Sequence, residues 1–94
     1  MNKEEASGLL THHLDRMAET GYAALAARVG ENEVLEATGA SGARYQIEIQ
    51  IVWDSAPRGA LRLLGGVDDG GLRAFVPLSD SRLLPPPTIG TGGP

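Results

Sequence analysis

The chain contains no cysteine. Without thiols it cannot form disulfides, use a thiolate nucleophile or hold zinc on cysteine ligands. Its 94 residues are enough for one domain and leave no room for a second core. The hydrophobic fraction of 41% and the charged fraction of 21% are ordinary for a globular protein. Any activity must therefore come from one small domain without sulfur chemistry.

Positive charge is also scarce. Eight Lys and Arg stand against twelve Asp and Glu, which gives a net charge of −4. Nucleic-acid binding depends on clustered Lys and Arg, so the composition predicts no nucleic-acid partner. No apolar run approaches the ~20 residues of a membrane span, and the N-terminal residues lack the pattern of a secretory signal. We expect a cytoplasmic protein with no membrane partner.

The first third of the chain has the pattern of an amphipathic helix. Asn2 and Glu5 have the spacing of a capping box, in which the Asn side chain accepts from the first free amides. One stripe of residues then recurs at steps of three and four: Leu10, Leu14, Met17, Gly21, Leu25 and Val29. This stripe predicts one helix that runs to about Arg28 and is stopped by Gly30. Gly21 lies within the stripe, where we expect the helix to approach Trp53 closely.

The strongest local signal is a strict alternation of apolar and polar residues. Its apolar positions are Tyr45, Ile47, Ile49, Ile51 and Trp53, and its polar positions are Gln46, Glu48 and Gln50. A period of two over this length is typical of a β-strand with one buried and one exposed face. The chain therefore contains one long strand whose two faces differ in polarity.

Further strands are predicted on both sides of this one. Val34–Thr38 is a short, weak candidate, and Leu61–Asp68 is a stronger one. Asp69-Gly70 is a two-residue hairpin signal, so Leu72–Leu78 is expected to return as the fourth strand. From Ser79 onward the chain is rich in proline and glycine and has no periodicity. We therefore predict a domain over residues 1–78 and a flexible tail over residues 79–94.

The two hairpins can be aligned independently. The first alignment pairs Trp53 with Leu61, Ile51 with Leu63, Ile49 with Gly65 and Ile47 with Val67. The second pairs Val67 with Leu72, Gly65 with Ala74, Leu63 with Val76 and Leu61 with Leu78. Both place their apolar residues on the same side of the sheet. Together they predict an α+β fold, in which an N-terminal helix packs on one face of a three- or four-stranded antiparallel meander.

No residue set indicates catalysis, a cofactor or a metal. His12 and His13 are adjacent on the helix and are expected to diverge, and neither has a second histidine four residues away. Asp54, Asp68 and Asp69 lie at strand ends or turns, where aspartate commonly bonds backbone amides. The glycine doublets lie in a strand or at a hairpin tip, whereas phosphate loops join a strand to a helix. Gly65 is expected to make room for the helix backbone or to mark a bulge.

The face of the sheet away from the helix is the candidate binding surface. The two alignments bring Val52, Leu64 and Phe75 together there, with Arg62 and Arg73 beside them. Apolar area surrounded by polar groups is typical of an interaction surface. Two other interpretations stay open. The tail, through Leu83, Leu84 and Ile89, covers this face, or the exposure has no function.

These observations predict a non-catalytic interaction module that binds a protein partner or a second copy through the open sheet face. A second hypothesis is a small-ligand-binding protein or an enzyme with a site between helix and sheet. Its candidate residues are His13, Asp54 and Tyr45. The edge of the first or fourth strand is also able to recruit a partner by strand addition.

Overall fold

The computed structural model of the chain describes residues 2–69 and 78–87. Two helices and four strands follow one another in the described residues: α1 Lys3–Ala18, α2 Tyr22–Ala26, β1 Asn32–Thr38, β2 Arg44–Trp53, β3 Leu61–Asp68 and β4 Leu78–Leu84. The strands form one antiparallel sheet in the order β1-β2-β3-β4. The predicted α+β fold, with an N-terminal helix and an antiparallel meander, is confirmed.

The helical region is divided at Gly21, so the prediction of one helix to Arg28 is wrong. Gly21 has a φ of 98°, which glycine adopts at little cost, and it ends the turn between α1 and α2. A Cβ at Gly21 would have no atom within 4 Å. The expected close approach to Trp53 is therefore also wrong, and the indole lies beside the ring of Tyr22 instead, with centroids 6.4 Å apart.

The first three strands agree with the sequence pattern. β2 and β3 pair as predicted: Trp53 with Leu61, Ile51 with Leu63, Ile49 with Gly65 and Ile47 with Val67. The weak first strand forms and extends to Asn32. The residues of β2 and β3 predicted to face the core are buried, except Trp53, which is partly buried. They are buried because α1 covers that side of the sheet.

The fourth strand differs from the prediction. Leu78 lies opposite Val67, and Leu84 lies opposite Leu61. The predicted pairing of Leu78 with Leu61 is therefore wrong, as is a tail that starts at Ser79, because Ser79–Leu84 belong to the sheet. The alternation of β4 was hidden because its helix side carries two polar residues that bond to each other. Residues 70–77, which include most of the predicted strand, lie outside the described residues.

The core lies between α1 and the sheet and is formed by buried apolar residues: Ala6, Leu10, Leu14, Met17, Leu25, Tyr45, Ile47, Ile49, Ile51, Leu61, Leu63 and Val67. A Cβ on Gly65 would lie 2.8 Å from Leu10 Cδ1 and 3.2 Å from Leu14 Cδ2. Gly65 does make room for the helix, but leucine side chains of α1 fill the space, so the predicted close approach of the helix backbone is wrong. α1 packs mainly against β3 and β4.

The start of α1 is held to the turn between β1 and β2. Asn2 Oδ1 accepts from the Glu5 N–H at 3.0 Å, as the capping pattern predicts. The Glu5 carboxylate accepts from the Ser41 N–H at 2.9 Å, from the Ser41 hydroxyl at 2.7 Å and from the Tyr45 hydroxyl at 2.7 Å. A Cβ on Gly39 would overlap the Glu5 carboxylate, so this contact requires glycine if the carboxylate is to keep its bonds to Ser41 and Tyr45. This Glu5 clamp sets where the helix begins over the sheet.

Candidate interaction surface and ligand cleft

The open face of the sheet carries three of the five predicted partner-binding residues. Val52, Arg62 and Leu64 lie on the side of β2 and β3 opposite α1, since their neighbours along each strand are buried beneath the helix. Leu64 is 40% exposed. Arg73 and Phe75 lie outside the described residues.

Leu83 joins this group instead of covering it. It lies opposite Arg62 in β4 and is 52% exposed. Leu84, the next residue, packs against the core. The interpretation in which Leu83 and Leu84 fold back over the open face is therefore wrong, and Ile89 lies outside the described residues. We call Val52, Arg62, Leu64 and Leu83 the open-face patch.

Arg62 lies within the patch and is held on two sides. Its Nε donates to Asp54 Oδ1 at 2.7 Å, and its Nη1 donates to Ser81 Oγ at 3.1 Å. The register places it between Val52 and Leu83. About one third of each side chain of the Arg62–Asp54 pair is exposed. The guanidinium is thus fixed in position, which limits the conformational entropy that a partner would have to remove.

A hollow of about 240 Å³ lies beside the patch. Its lining residues are Glu48, Gln50, Leu64, Gly65 and Gly66. It exists because Gly66 has no side chain on the open face. A Cβ at Gly66 would meet only the Leu78 carbonyl oxygen, at an ordinary 3.7 Å. The hollow could therefore be filled by substitution without disturbing the backbone.

A second concavity opens between α1 and β1. It has a volume of about 460 Å³ and is lined by His13, Arg16, Met17, Thr20, Arg28, Glu33, Leu35 and Ile49. It exists because a helix is about 10 Å wide, whereas four strands at about 4.8 Å spacing span roughly 14 Å. With α1 over β3 and β4, the helix side of β1 is only partly covered. We call this space the helix–β1 cleft.

The electrostatics of the helix–β1 cleft are set by its basic residues. Arg28 donates from Nε to Glu31 and from Nη2 to Glu33, both at 2.9 Å, and these bonds raise its pKa. Arg16 makes no ion pair within the described part of the chain. Burial lowers the pKa of His13, and the nearby charges of His12 and Arg16 lower it further. The negative charge of Glu33 raises this pKa, but it is the smallest of these effects. The imidazole is therefore mostly neutral at neutral pH. It lies beside the guanidinium of Arg16, which has no ion-pair partner among the described residues.

The three candidates of the ligand hypothesis do not converge. His13 lines the cleft, but Asp54 bonds Arg62 at the open face, and Tyr45 bonds Glu5 near the start of α1. Arg16 and Arg28 line the cleft but were not among the candidate residues predicted from the sequence. Arg28 could have been noticed, because it falls within the apolar stripe of the helical pattern, where a charged residue is unusual.

The two adjacent histidines lie against each other. The rings of His12 and His13 contact edge to face with centroids 5.4 Å apart, so the expected divergence is incomplete. Among residues 2–69 and 78–87, no three His, Asp or Glu side chains are grouped as metal ligands. In the same ranges, no helix is both long enough and apolar enough to cross a membrane.

Comparison with protein-family models, curated proteins and solved structures finds no match to this chain.

Proposed function

We propose that this domain is a non-catalytic interaction module whose open-face patch binds a protein partner, in the cytoplasm that the composition favours. The observation that carries the proposal is the exposure of Leu64 and Leu83, at 40% and 52%, on a sheet face that neither helix covers. Neighbouring exposed apolar side chains with a polar rim are typical of binding surfaces.

The shape of the surface supports the same function. The hollow at Gly66 adjoins Leu64 and is bordered by Glu48 and Gln50, so a partner side chain with an apolar stem and a hydrogen-bonding end can enter it. Such a buried anchor in a preformed pocket typically supplies much of the binding energy. Arg62 is already fixed by Asp54 and Ser81, and it offers its remaining donors to an acidic group of the partner.

The first test asks whether the patch is free in the isolated protein. A soluble paramagnetic agent should broaden the methyl NMR signals of Leu64 and Leu83 and leave those of buried Leu61 and Leu63 sharp. Protection of the Leu64 and Leu83 methyls in a monomer would mean that the protein's own chain covers the patch, which contradicts the proposal.

The second test uses substitutions that preserve the fold. A partner captured by the wild type should be lost with Leu83→Asp and weakened at least tenfold by Gly66→Val, which fills the hollow. Ala24→Asp, an apolar-to-acidic change on the exposed side of α2, is the matched control and should retain the partner. Equal retention by all three variants would place the binding surface elsewhere.

A second candidate function is favoured by the helix–β1 cleft. Its floor is apolar, formed by Leu35 and Ile49, and its rim carries Arg16 and His13. Its volume of about 460 Å³ falls within the range of small-molecule sites. An amphipathic carboxylate matches this arrangement, because its chain covers the floor while its anionic end pairs with Arg16 and favours protonation of His13.

Octanoate is a suitable probe for this second function, with octylammonium as a ligand of opposite charge. Octanoate should shift the Leu35 and Ile49 methyl signals and raise the pKa of His13, and octylammonium should do neither. Arg16→Gln should weaken octanoate binding about tenfold, whereas Lys3→Gln, which removes a cation at the far end of α1, should not. Equal binding of both probes, or of neither, would exclude a carboxylate site.

A further inference from the structure

The sheet has two free edges, and hydrogen bonding shows which backbone groups face outward at the first of them. The Ile51 N–H donates to the Glu31 carbonyl at 3.2 Å, so odd-numbered residues of β2 bond toward β1. In an antiparallel pair, residues that bond the neighbouring strand alternate with residues whose N–H and C=O point away. The outward groups of β1 therefore belong to Asn32, Val34, Glu36 and Thr38.

The other edge, on β4, is closed at its centre by its own side chains. The Ser81 N–H points outward and donates to Asp80 Oδ1 at 2.8 Å. The Ser81 carbonyl accepts from Arg82 Nη1 at 3.0 Å, and the same nitrogen donates to Asp80 Oδ2 at 3.1 Å. Arg82 Nε is anchored on α1 by Asp15 at 2.9 Å. Pro85 to Pro87 follow and have no N–H to offer.

The edge of β1 has no such closure. Among the described residues, no side chain bonds the outward backbone groups between Asn32 and Thr38. Its seven residues are longer than a typical protected edge, and unpaired groups in a row are a template for strand pairing. The two edges of the same sheet are thus chemically different, with one closed and one open.

We propose that β1 pairs antiparallel with β1 of a second copy, joining the two four-stranded sheets into one continuous sheet. The register that places Leu35 opposite Leu35 also places Val34 opposite Glu36, Glu33 opposite Ala37 and Asn32 opposite Thr38. No like charges lie directly opposite in this register. A shift that centres the pairing on Glu36 would place two carboxylates face to face, and one that centres it on Val34 would place Leu35 opposite Glu33.

The helix–β1 cleft gives this pairing an apolar component. Leu35 is only half buried in the single chain because α1 does not extend over β1. Across the two-fold axis the two Leu35 side chains come within about 5 Å of each other. Each copy then covers the open side of the other's cleft, and both helices lie on the same face of the joined sheet. The open-face patch stays available to a different partner, so this inference does not depend on the proposed interaction module, whereas it competes with ligand binding in the helix–β1 cleft.

The decisive variants place proline at outward positions of the two edges. Val34→Pro removes an outward N–H of β1 and leaves the β1–β2 hydrogen bonds intact, and Ser81→Pro is the matched change on β4. Light scattering should give twice the chain mass for the wild type and for Ser81→Pro, and the single mass for Val34→Pro. In the wild type, the amides of Val34 and Glu36 should exchange more slowly as concentration rises.

Leu35→Asp provides a second test that leaves every backbone donor in place, because it sets two carboxylates opposite each other at the axis. It should raise the dimer dissociation constant at least tenfold, while an unchanged amide spectrum of β2 and β3 verifies the fold. A monomeric wild type at millimolar concentration would overturn the proposal. So would a dimer that survives Val34→Pro but is lost with Leu83→Asp, since that dimer would use the open face.

Discussion

At the scale of single residues, glycine has opposite effects on stability at a buried position and at an exposed one. Gly65 lies in the middle of β3 with two leucine side chains of α1 over its Cα. Gly8 lies in α1, where an added Cβ would meet nothing within 4 Å. The first glycine is required by packing, whereas the second only lowers the intrinsic stability of the helix.

Alanine at each position should therefore change stability in opposite directions. Gly65→Ala forces Leu10 and Leu14 to shift in a filled core and should lower the free energy of unfolding by about 1–3 kcal/mol. Gly8→Ala should raise it by about 0.5–1 kcal/mol. Urea unfolding followed by circular dichroism measures both. A neutral Gly65→Ala would show that the leucines move away freely.

The turn between β2 and β3 shows how far glycine patterns predict backbone conformation. Glycine adopts a positive φ most readily, which favours Gly59 in this turn, but Arg58 is the residue with a positive φ, at 69°. The tight turn is closed by the Gly59 N–H, which donates to the Ala56 carbonyl at 3.0 Å. A sequence identifies the turn, but hydrogen bonding within it decides which residue takes the left-handed conformation.

At the scale of elements, the position of α1 depends on side chains that reach other elements. The Glu5 clamp holds its first turn to the β1–β2 turn, and Arg82 holds its centre to β4 through Asp15. Bonds from Ser41, and then from Tyr45, lower the pKa of Glu5. The folded state therefore binds this proton less readily than the unfolded chain does.

The Glu5 clamp should make stability depend on pH. Its contribution is complete above the ordinary glutamate pKa of about 4.3 and is lost as the pH falls through the lowered value. Glu5→Gln should be less stable than the wild type at pH 7 and should lose less stability between pH 6 and pH 3. Thermal unfolding at several pH values measures this. Glu4→Gln, which removes a charge from the same helical turn, should keep the wild-type pH dependence.

The sequence predicted the elements that depend on local patterns and missed those that depend on tertiary contacts. The register of β2 and β3 could be predicted because the alternation of β2 is strict and the apolar residues of β3 match its buried face. β4 was missed because Asp80 and Arg82 occupy helix-side positions and are satisfied by each other and by Asp15. The helix–β1 cleft could not be foreseen, since it depends on which strands α1 covers.

At the scale of the whole molecule, β4 extends the domain beyond its predicted boundary. Leu84 packs against the core, although it lies in the segment that composition assigned to a tail. Its neighbour Leu83 points to the open face. The two residues thus test whether this segment belongs to the cooperative unit.

Leu84→Ala should lower the free energy of unfolding by about 1–2 kcal/mol, less than the 2–5 kcal/mol typical of a fully buried leucine. Leu83→Ala should change it by no more than about 0.5 kcal/mol, because the side chain is exposed in the folded state. Chemical denaturation of both variants gives the comparison. If neither substitution changed the free energy of unfolding, Ser79–Leu84 would belong to the flexible tail and not to the folded domain.

In the proposed dimer, the closure of β4 by Asp80 and Arg82 would determine where assembly stops. Bonds from the Ser81 N–H and from Arg82 hold the pKa of Asp80 low, so the closure persists until the solution is strongly acidic. Once Asp80 is protonated, a dimer joined through β1 would expose a usable strand at each outer end. Association would then have no geometric limit, and we expect acid to convert a discrete pair of chains into fibrils, which Asp80→Ala should form already at neutral pH.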